Sequence, residues 1–496
     1  MANAHRNSGR AIAGYAGMAL VFMGAALLVP LLALPAFPDE LGYAPCLIFP
    51  GVFSMLAGYL IYFFGSEREV ALTLSRIEAA GTTMLIWLCA IAVNALPLVC
   101  AGLLDVPQAI FESTSGLTTT GLSVVDVASC PRIMLLHRSM MHYVGGVGLI
   151  LVLSCIVSDS HGLKLYSAEG HTERLLSGTS SSARMVLLLY TGIILVGALA
   201  YMIAGMPAFD AVNISISAVS TGGFAVRPDS MASYDGFAIQ LITIILMMAG
   251  ATNFLLNFLL FQGKLRAFVR HAETLPYLGI IIAGTALFAT LLLTSGQADS
   301  PSNALQTGLF QTVAVMTSTG LQTIPQFDTL APSILYMLVF LMIVGGEAGS
   351  TSGGIKVYRL VVYSRGLIWS LRDRFGHRRR VYSNKINRFG KRIECTESEI
   401  ASVQTFVGAY IGLLVICGFV FALFGASVGD AVFEAASCLG NTGIGVGFLC
   451  AGSPPIVLLA GSVAMLLGRL EIFPLIFGVR WMFQGIKEEA SLALHR

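Results

Sequence analysis

Four stretches of the sequence end in the same short pattern: a small polar residue, a threonine and a glycine. Glycine lets the backbone adopt a positive φ and lets neighbouring chains approach closely. Carbonyl oxygens held inward by such turns can replace the hydration shell of a cation. No carboxylate adjoins these glycines, which favours a large monovalent cation over a divalent ion. The predicted cation ligands are Thr119, Thr120, Gly121, Ser220, Thr221, Gly222, Ser318, Thr319, Gly320, Asn441, Thr442 and Gly443.

A polar residue precedes each of these glycines by nine positions. These residues are Glu112, Asn213, Gln311 and Glu434. A short helix that ends just before each glycine would direct its partly negative C-terminal end toward the cation. We interpret Glu112 and Glu434 as caps near the start of such helices, in preference to direct ion ligands. One such loop could be an ordinary tight turn, but four matched loops in apolar surroundings favour a shared role.

Long apolar segments must position these loops. Of the 496 residues, 56% are hydrophobic and 11% are charged, whereas soluble domains carry about 25% charged residues. The four loop regions, at 107–125, 207–226, 303–324 and 428–447, are too short to cross a bilayer, and we predict that they dip into the membrane and return. The predicted spans are approximately 11–34, 43–64, 72–104, 133–158, 184–205, 236–262, 276–294, 332–356, 400–424 and 454–484.

The distribution of lysine and arginine predicts the orientation. If the N-terminus is inside, the inner segments carry most of the basic residues, among them Lys164, Arg174 and twelve within 356–392. The outer segments then carry only Arg132 and Arg227. With ten predicted spans, this orientation places both termini in the cytoplasm. The basic run 372–392 is interpreted as a topology determinant, and a docking surface for a regulatory partner or for anionic lipid is the alternative.

The repeated loops predict an all-α polytopic membrane fold with four pseudo-symmetric helix–loop–helix repeats around a central pore. Two extra transmembrane helices precede the first repeat. The first apolar run exceeds a signal-peptide core of about 7–15 residues, so we predict that it is retained. The predicted segments are 1–70 for the extra helix pair and 71–160, 161–264, 265–394 and 395–496 for the four repeats, the third with a broken second helix and the basic segment.

A glycine-rich segment, residues 345–354, interrupts one predicted span. It contains five glycines and three hydroxyl residues, and each glycine costs a helix about 1 kcal/mol relative to alanine. We predict an unwound, movable segment below the ion ligands, with a passive kink as the alternative. Arg469, about 22 Å along the last helix, is predicted to face the pore as an electrostatic barrier, with a pair to Glu347 or Glu471 as the alternative. The predicted gate residues are Arg469, Gly345, Gly346, Gly349, Ser350, Thr351, Gly353 and Gly354.

A basic residue and a histidine follow the first loop. Arg138 and His142 lie four residues apart and share one face of the predicted helix. We interpret Arg138 as a structural anchor near the outer mouth. Other patterns argue against several classes of protein. A net charge of +2 gives no basic excess that would favour binding to nucleic acid. The nine cysteines are scattered and form no CxxC pair, so the sequence shows neither a metal site nor a disulfide framework. The sequence also lacks a nucleophile with a neighbouring base, which argues against an enzyme.

With these motifs, nearly the whole chain resembles the Trk/Ktr/HKT superfamily of potassium transporters. The two helices before the first repeat make it similar to the TrkH type in particular. The glycine-rich motif 345–356 and the motif 468–473 are long and specific. The resemblance rests on residues 118–122, 220–224, 317–320, 440–443, 345–356 and 468–473.

The resemblance implies a function and partners. It implies potassium uptake across the bacterial inner membrane, a homodimer with one pore per subunit, and a cytoplasmic ring of TrkA-like nucleotide-binding subunits. It also implies a gate made by Arg469 together with the glycine-rich segment. In the plant branch a serine at the first filter position accompanies sodium transport, so Gly121 favours potassium. Potassium would be bound at Thr119, Thr120, Thr221, Gly222, Thr319, Gly320, Thr442 and Gly443.

Two other transport functions stay open. A sodium or mixed monovalent-cation transporter, including an ion-coupled one, fits the same loops because selectivity depends on cavity size and flexibility. A secondary transporter with alternating access would show inverted or twofold repeats, whereas this repeat is fourfold and runs in one direction. No chain of intramembrane carboxylates suggests a proton relay, which favours channel-like conduction.

Overall fold

The described chain is built almost entirely of helices. The computed structural model describes residues 2–65, 75–148, 179–234, 236–375, 385–389 and 391–494, and the predicted features at Lys164, Arg174 and 376–384 lie outside them. Short 3-10 helices cover Val29–Ala36, Pro38–Tyr43 and Ser230–Ser233. The α-helices are α1 (Ala2–Leu28), α2 (Ala44–Gly65), α3 (Arg76–Cys100), α4 (Val106–Leu117), α5 (Arg132–Val147), α6 (Thr179–Ile203), α7 (Ala208–Val219), α8 (Phe237–Ala251), α9 (Phe254–Phe261), α10 (Leu265–Val269), α11 (Thr274–Thr294), α12 (Pro301–Met316), α13 (Pro332–Val344), α14 (Val357–Phe375), α15 (Glu397–Leu423), α16 (Val428–Gly440), α17 (Pro455–Arg469) and α18 (Phe473–Leu494).

One small sheet accompanies the helices. Strands β1 (Lys385–Arg388) and β2 (Lys391–Glu394) pair antiparallel, with Ile386 opposite Ile393. We call residues 385–394 the hairpin. The buried side chain of Ile386 packs into a cluster with Tyr358, Val362, Cys395 and Val403.

The membrane-spanning character of the chain follows from its apolar helices. Six described helices are long and apolar enough to cross a bilayer, or eight if two sharply bent pairs each count as one span. The all-α polytopic class predicted from sequence is therefore confirmed. Of the ten predicted spans, 133–158 is described only as far as residue 148, and 332–356 is helical only over Pro332–Val344 before the glycine-rich segment begins.

Two predicted spans are bent rather than straight. Helices α8 and α9 meet at 116°, and α17 and α18 meet at 113°. At the first bend, Asn253 accepts a hydrogen bond from the amide of Leu255 at 2.8 Å and so starts a new helix. At the second, Glu471 and Ile472 adopt positive φ values of 54° and 66°. The predictions of single helices over 236–262 and 454–484 were therefore wrong, because local capping and left-handed residues end each helix early.

The four predicted loop regions each contain one short, largely buried helix: α4, α7, α12 and α16. Asp105 and Gln108 form a capping box at the start of α4, with hydrogen bonds of 2.9 and 3.1 Å. Ser300 and Ser427 cap α12 and α16 through the amides of Asn303 and Asp430. Each helix ends at most four residues before a glycine of positive φ. Polar caps between apolar spans thus start three of the four short helices, whereas α7 begins after Pro207 without a side-chain cap.

The chain divides into two compact units. Unit 1 comprises residues 1–119, 123–191 and 454–496, and unit 2 comprises 120–122 and 192–453. In unit 1, glycines let α1 and α2 approach closely: a side chain at Gly24 would collide with the carbonyl of Gly51. Helix α18 packs on α3, where Trp481 covers Gly81. In unit 2, α13 packs on α16 and α11 on α12. The five segments predicted from sequence stay a prediction.

Candidate functional site

Four glycines in unit 2 form a closed ring of backbone contacts. Gly121, Gly223, Gly320 and Gly443 have φ values of 97°, 84°, 72° and 82°. A side chain at Gly121 would collide with the carbonyl oxygen of Gly222, and one at Gly223 with that of Thr319. In the same way Gly320 faces the carbonyl of Thr442, and Gly443 faces that of Thr120, which closes the ring. We call these four residues the ring glycines. Only glycine fits, because the backbone is left-handed and each neighbouring carbonyl occupies the space of a side chain.

The second loop enters the ring one residue later than the sequence alignment predicted. Positive φ falls on Thr119, Ser318 and Asn441, each two residues before its ring glycine, and in the second loop on Thr221, two residues before Gly223. Helices α4, α7 and α16 each begin fifteen residues before their ring glycine only if that glycine is Gly223. Ser113 and Ser215, each eight residues before, both donate to a carbonyl of the preceding long helix, at 2.9 and 2.6 Å. The predicted equivalence of Gly222 with Gly121 is therefore wrong.

The predicted polar ligands surround the ring with buried side chains. Ser220 ends α7 as its C-cap and donates to the carbonyl of Ser217 at 3.2 Å. The amide of Asn441 donates to the hydroxyl of Thr120 at 3.0 Å, which joins the first and fourth loops. The Thr319 hydroxyl bonds that of Thr317 at 2.7 Å. The hydroxyls of Ser318 and Thr442 are buried and have no hydrogen-bond partner among the described residues.

Glu112 braces the extended segment that follows the first ring glycine. It is fully buried in the second half of α4 and accepts from the amide of Val124 at 2.9 Å and the hydroxyl of Ser123 at 3.0 Å. Arg138 donates to the same carboxylate at 2.7 Å and to Ser123 at 2.7 Å. The predicted anchoring by Arg138 thus has a partner in Glu112. The prediction that Glu112 caps the helix start is wrong, because Asp105 occupies the cap.

Glu434 has the same place in the fourth loop. It is fully buried in the second half of α16 and accepts from the amides of Val446 at 3.0 Å and Phe448 at 3.2 Å. Its predicted capping is also wrong, because Ser427 caps α16. A buried carboxylate that accepts from backbone amides fixes the path of the chain, since each such bond is charge-assisted.

The remaining two loops show how the brace varies. In the third loop, Gln311 takes the corresponding place and donates to the hydroxyl of Thr323 at 3.1 Å. In the second loop, the corrected alignment puts Ile214 at this place, fully buried. Asn213, predicted as the counterpart, donates instead to the carbonyl of Phe209 within its own helix at 2.7 Å. A polar brace is therefore a feature of three loops.

The glycine-rich segment is an unwound loop with a closed stem. Helix α13 ends at Val344, and residues 345–356 have no helix. The amides of Ile355 and Lys356 donate back to Ile343 and Val344 at 2.9 Å, so both ends of the segment lie side by side. A side chain at Gly345 would collide with the carbonyl of Gly353. The break in the helix agrees with the composition of 345–354.

Buried polar groups hold the tip of this segment, and the sequence analysis did not single out their roles. Glu347 is fully buried and accepts from the amide of Asn253 at 3.0 Å. Asn253 donates in turn to the carbonyl of Ala348 at 2.6 Å. Glu273 accepts from the amide of Ala348 at 2.8 Å. A glutamate inside a glycine-rich apolar run was the available signal, because a buried carboxylate requires donors close by.

The segment also contacts the ring loops of unit 2. The hydroxyl of Thr221 donates to that of Thr351 at 3.0 Å. Thr351 also lies 3.0 Å from the carbonyl of Gly250 and 3.3 Å from that of Val219, the last residue of α7. Gly353 faces the carbonyl of Gly440 at the end of α16. A shift of the segment would therefore change its contacts with the second and fourth loops.

Arg469 lies at the last position of α17 in unit 1. Its guanidinium donates to the carbonyl of Gly145 and, at 3.4 Å, to that of Gly146. These carbonyls belong to the last turn of α5, where a cation is favoured by the helix dipole. In the same part of α5, His142 bonds the carbonyl of Gly116 at 2.7 Å. The pore-facing role predicted for Arg469 stays a prediction.

A charged cluster in the loop after the second ring glycine contrasts with these buried groups. Arg227 donates to Asp210 at 2.9 Å, and the hydroxyl of Tyr234 donates to the same carboxylate at 2.8 Å. The hydrogen bond to Asp210 raises the pKa of Arg227 further, so this guanidinium stays charged. The Arg227 side chain is 46% exposed, whereas that of Asp210 is 11% exposed, so the guanidinium is the hydrated partner of the pair.

The arrangement as a whole is suited to bind a dehydrated cation. Each short helix ends three or four residues before its ring glycine in the sequence, and each of the carbonyls of Thr120, Gly222, Thr319 and Thr442 lies against the ring glycine of another loop. Among the described residues there is no group of three or more histidine, cysteine, aspartate or glutamate side chains that could hold a metal. The chemistry available is therefore coordination by backbone and hydroxyl oxygen.

Comparison with known proteins gives four findings. The family model of TrkH, described as a cation transport protein, matches residues 82–485. The Trk system potassium uptake protein TrkH of Salmonella typhimurium is 30% identical over 483 residues, which cover 94% of this chain and 97% of that protein. An uncharacterized cation transporter of Methanocaldococcus jannaschii is 28% identical over 434 residues, 86% of this chain and 87% of that protein. The crystal structure of the potassium transporter TrkH from Vibrio parahaemolyticus superimposes with a TM-score of 0.83 and 27% identity, covering 94% of this chain and 97% of that one.

Proposed function

The chain belongs to the TrkH family of cation transport proteins, and from this premise we propose that it takes up potassium across the cytoplasmic membrane through a filter formed by the ring glycines. Relatives named as potassium uptake proteins cover almost its whole length, which supports potassium as the cargo. The observation that carries the proposal is the closed ring, in which each glycine faces the carbonyl that precedes the next ring glycine. Such a ring offers four carbonyl oxygens and has no room for side chains.

The ions would be held by neutral oxygens. Carbonyls of Thr120, Gly222, Thr319 and Thr442 would supply the inner contacts, and the unpartnered hydroxyls of Ser318 and Thr442 are further candidate ligands. A buried hydroxyl without a protein partner is costly unless water or an ion satisfies it. The predicted ligands Thr119, Thr221 and Gly320 border the same oxygens along the chain.

We further propose that the glycine-rich segment and Arg469 regulate the flow. The segment has a closed stem and touches the second and fourth loops, so it can move as a unit without unfolding α13. Deletion of residues 347–352 should leave the stem bonds in place and raise flux or free it from regulation. Uptake that stays equal to wild type and fully regulated would contradict a gate.

Membership of the TrkH family also supports a proposal for the partners and the location of the chain. We propose a homodimer in the bacterial inner membrane, with both termini cytoplasmic, that binds a cytoplasmic TrkA-like ring of nucleotide-binding subunits. Crosslinking of the purified chain in lipid, followed by mass determination, would test the dimer. Pull-down of the ring subunit encoded by the same organism would test the second partner, with the hairpin residues as the first positions to alter.

The experiment that tests the filter is rubidium-86 uptake into proteoliposomes, with competition by potassium, sodium and lithium. Wild type should be blocked by potassium and not by lithium. Gly121→Ser should weaken this preference, because the new side chain meets the Gly222 carbonyl. Gly205→Ser is the matched control: Gly205 has a similar φ of 94°, but no atom lies within 4 Å of the position of a new Cβ.

The outcomes separate the candidate functions. Equal competition by sodium and potassium would favour the mixed-cation alternative. The filter assignment is wrong if no cation enters even when the TrkA-like cytoplasmic subunits are present. It is also wrong if Gly121→Ser and Gly205→Ser show the same ion preference.

A further inference from the structure

A buried histidine and a buried glutamate lie between α10 and α11, away from the ring. The side chains of His271 and Glu273 are both fully buried. Glu273 also accepts from Ala348 in the glycine-rich segment, and His271 has no role in the filter or the gate as described. Each of them has two partners, and the partners belong to different parts of unit 2.

His271 binds the hairpin. The amide of Phe389 donates to His271 Nδ1 at 3.2 Å, and the two rings pack with centroids 4.7 Å apart and planes tilted by 33°. Next to it, the amide of Ala272 donates to the carbonyl of Asn387 at 3.0 Å. Because Nδ1 accepts a hydrogen bond, the ring proton must be on Nε2. The Nε2–H then donates to Glu273 Oε1 at 3.2 Å.

Glu273 binds the glycine-rich segment with its other oxygen. Its Oε2 accepts from the amide of Ala348 at 2.8 Å. Thr274, the next residue, donates to the neighbouring Glu347 at 3.4 Å. Three residues after Ala348, Thr351 contacts Thr221 in the second ring loop. An uninterrupted series of hydrogen bonds and short backbone segments therefore joins the hairpin to the ring.

We propose that His271 and Glu273 are positioning residues that transmit the position of the hairpin to the glycine-rich segment. The hairpin continues the basic cytoplasmic connection, where a regulatory contact would act, and the pair is its polar connection to Ala348. The consequence for transport rests on the proposed function, because it requires the segment to be a gate. The mechanical coupling between the hairpin and the segment does not rest on the proposed function.

The chemistry of the pair favours this role over simple filling of space. A fully buried carboxylate is costly unless its oxygens are satisfied, and Glu273 divides its two oxygens between two separate elements. Loss of either bond leaves a charged oxygen without its donor. Hairpin and segment are therefore held in register, and a displacement of one strains the other.

Hydrogen–deuterium exchange of the purified full-length chain can measure this coupling directly. The readout is the exchange rate of peptides that cover 345–354. Ile386→Ala opens a cavity beneath the hairpin and should raise that rate about tenfold in an otherwise wild-type chain. In a Glu273→Gln background, whose own exchange is already raised, the same change should add no more than about twofold. An equal factor in both backgrounds would overturn the proposal.

Two histidine variants and one control sharpen the test. His271→Asn keeps an acceptor near Phe389, whereas His271→Gln keeps a donor near Glu273, so each retains one half of the connection. Both should abolish the coupling as Glu273→Gln does, and full coupling in either would overturn the proposal. Val403→Ala, in the same apolar cluster but on α15, should act equally in the wild-type and Glu273→Gln backgrounds.

Rubidium uptake of the same variants separates the two claims. Altered exchange together with altered regulation supports both of them. Altered exchange with unchanged uptake keeps the coupling and removes the gate. Unaltered exchange removes the coupling, whatever the uptake does.

Discussion

The first and fourth loops carry a glutamate at the same helical position, and the two glutamates are held by different groups. Glu112 is paired with Arg138, and both side chains are almost completely buried, with exposures of 0% and 2%. The described contacts of Glu434 are backbone amides, those of Val446 and Phe448. Glu112 thus faces a cation, whereas Glu434 faces peptide dipoles.

The difference teaches which part of the repeat is constrained. Three of the four loops share an acceptor or donor that reaches from the short helix to the extended segment after the ring glycine. Glu112, Gln311 and Glu434 all supply it, and Ile214 does not. The charge itself varies, and so does the group that balances it. The backbone ring is therefore more strictly repeated than the side chains that support it.

The largest expected effect comes from removal of the positive charge of Arg138, the partner of Glu112 in the first loop. Arg138→Met leaves Glu112 buried without its counter-charge and should lower the free energy of unfolding by about 3–5 kcal/mol. SDS titration in mixed micelles measures this quantity. The double variant Glu112→Gln with Arg138→Met should recover much of the loss. Arg227→Met, in a half-exposed pair, should cost about 0–1 kcal/mol; equal losses at Arg138 and Arg227 would contradict the comparison.

A second prediction tests the alignment on which the comparison depends. Gly223→Ala places a methyl group against the Thr319 carbonyl at φ +84°. The left-handed conformation costs about 1–2 kcal/mol and overpacking about 1–3 kcal/mol more. The potassium-over-lithium preference in rubidium uptake should therefore fall more in Gly223→Ala than in Gly222→Ala. The reverse order would restore Gly222 as the counterpart of Gly121.

Removal of the charge in the fourth loop should have a smaller effect. Glu434→Gln keeps the size of the side chain, and Gln311 shows that glutamine fits this position in the third loop. Two charge-assisted bonds become neutral ones, at a cost of roughly 1 kcal/mol each. We expect faster hydrogen exchange over 443–448 and a modest loss of stability. A loss as large as that of Arg138→Met would mean that the amides hold Glu434 no better than an unpaired charge.

The smallest effect is expected at Asn213. Its described hydrogen bond is local, to Phe209 in the same helix, so Asn213→Ala should cost about 1 kcal/mol or less. Ion preference in the uptake assay should not change. Gln311→Ala, in the third loop, is the comparison variant and should alter that preference. A change of preference in Asn213→Ala would favour the alignment inferred from sequence.

Much of the fold could be predicted because apolar length and repeated Thr-Gly patterns are local signals. The short helices, the break at 345–354 and the anchoring role of Arg138 belong to this class. The bends at Asn253 and at Glu471 could not be recognised from apolar length, because both lie within segments that are apolar enough to continue. The register of the second loop was ambiguous because Gly222 and Gly223 are adjacent, and the backbone φ values together with the contact between Gly223 and Thr319 distinguish them.

The braces illustrate the same limit at the level of side chains. Glu112 and Glu434 looked like helix caps because carboxylates are favourable near helix starts. Their real partners, Val124 and Val446, follow twelve residues later and become neighbours only when the chain turns at a ring glycine. The burial of the two glutamates and their distances to these amides determine their roles, and neither quantity can be derived from the sequence.

The central claim is that the ring carbonyls bind the transported ion, and anomalous diffraction tests it most directly. Crystals of the full chain grown in rubidium chloride, with data collected at the rubidium absorption edge, would locate bound ions. The account predicts a peak enclosed by the carbonyls of Thr120, Gly222, Thr319 and Thr442, and its loss in Gly121→Ser but not in Gly205→Ser. Rubidium peaks found only elsewhere, with this ring empty, would contradict it.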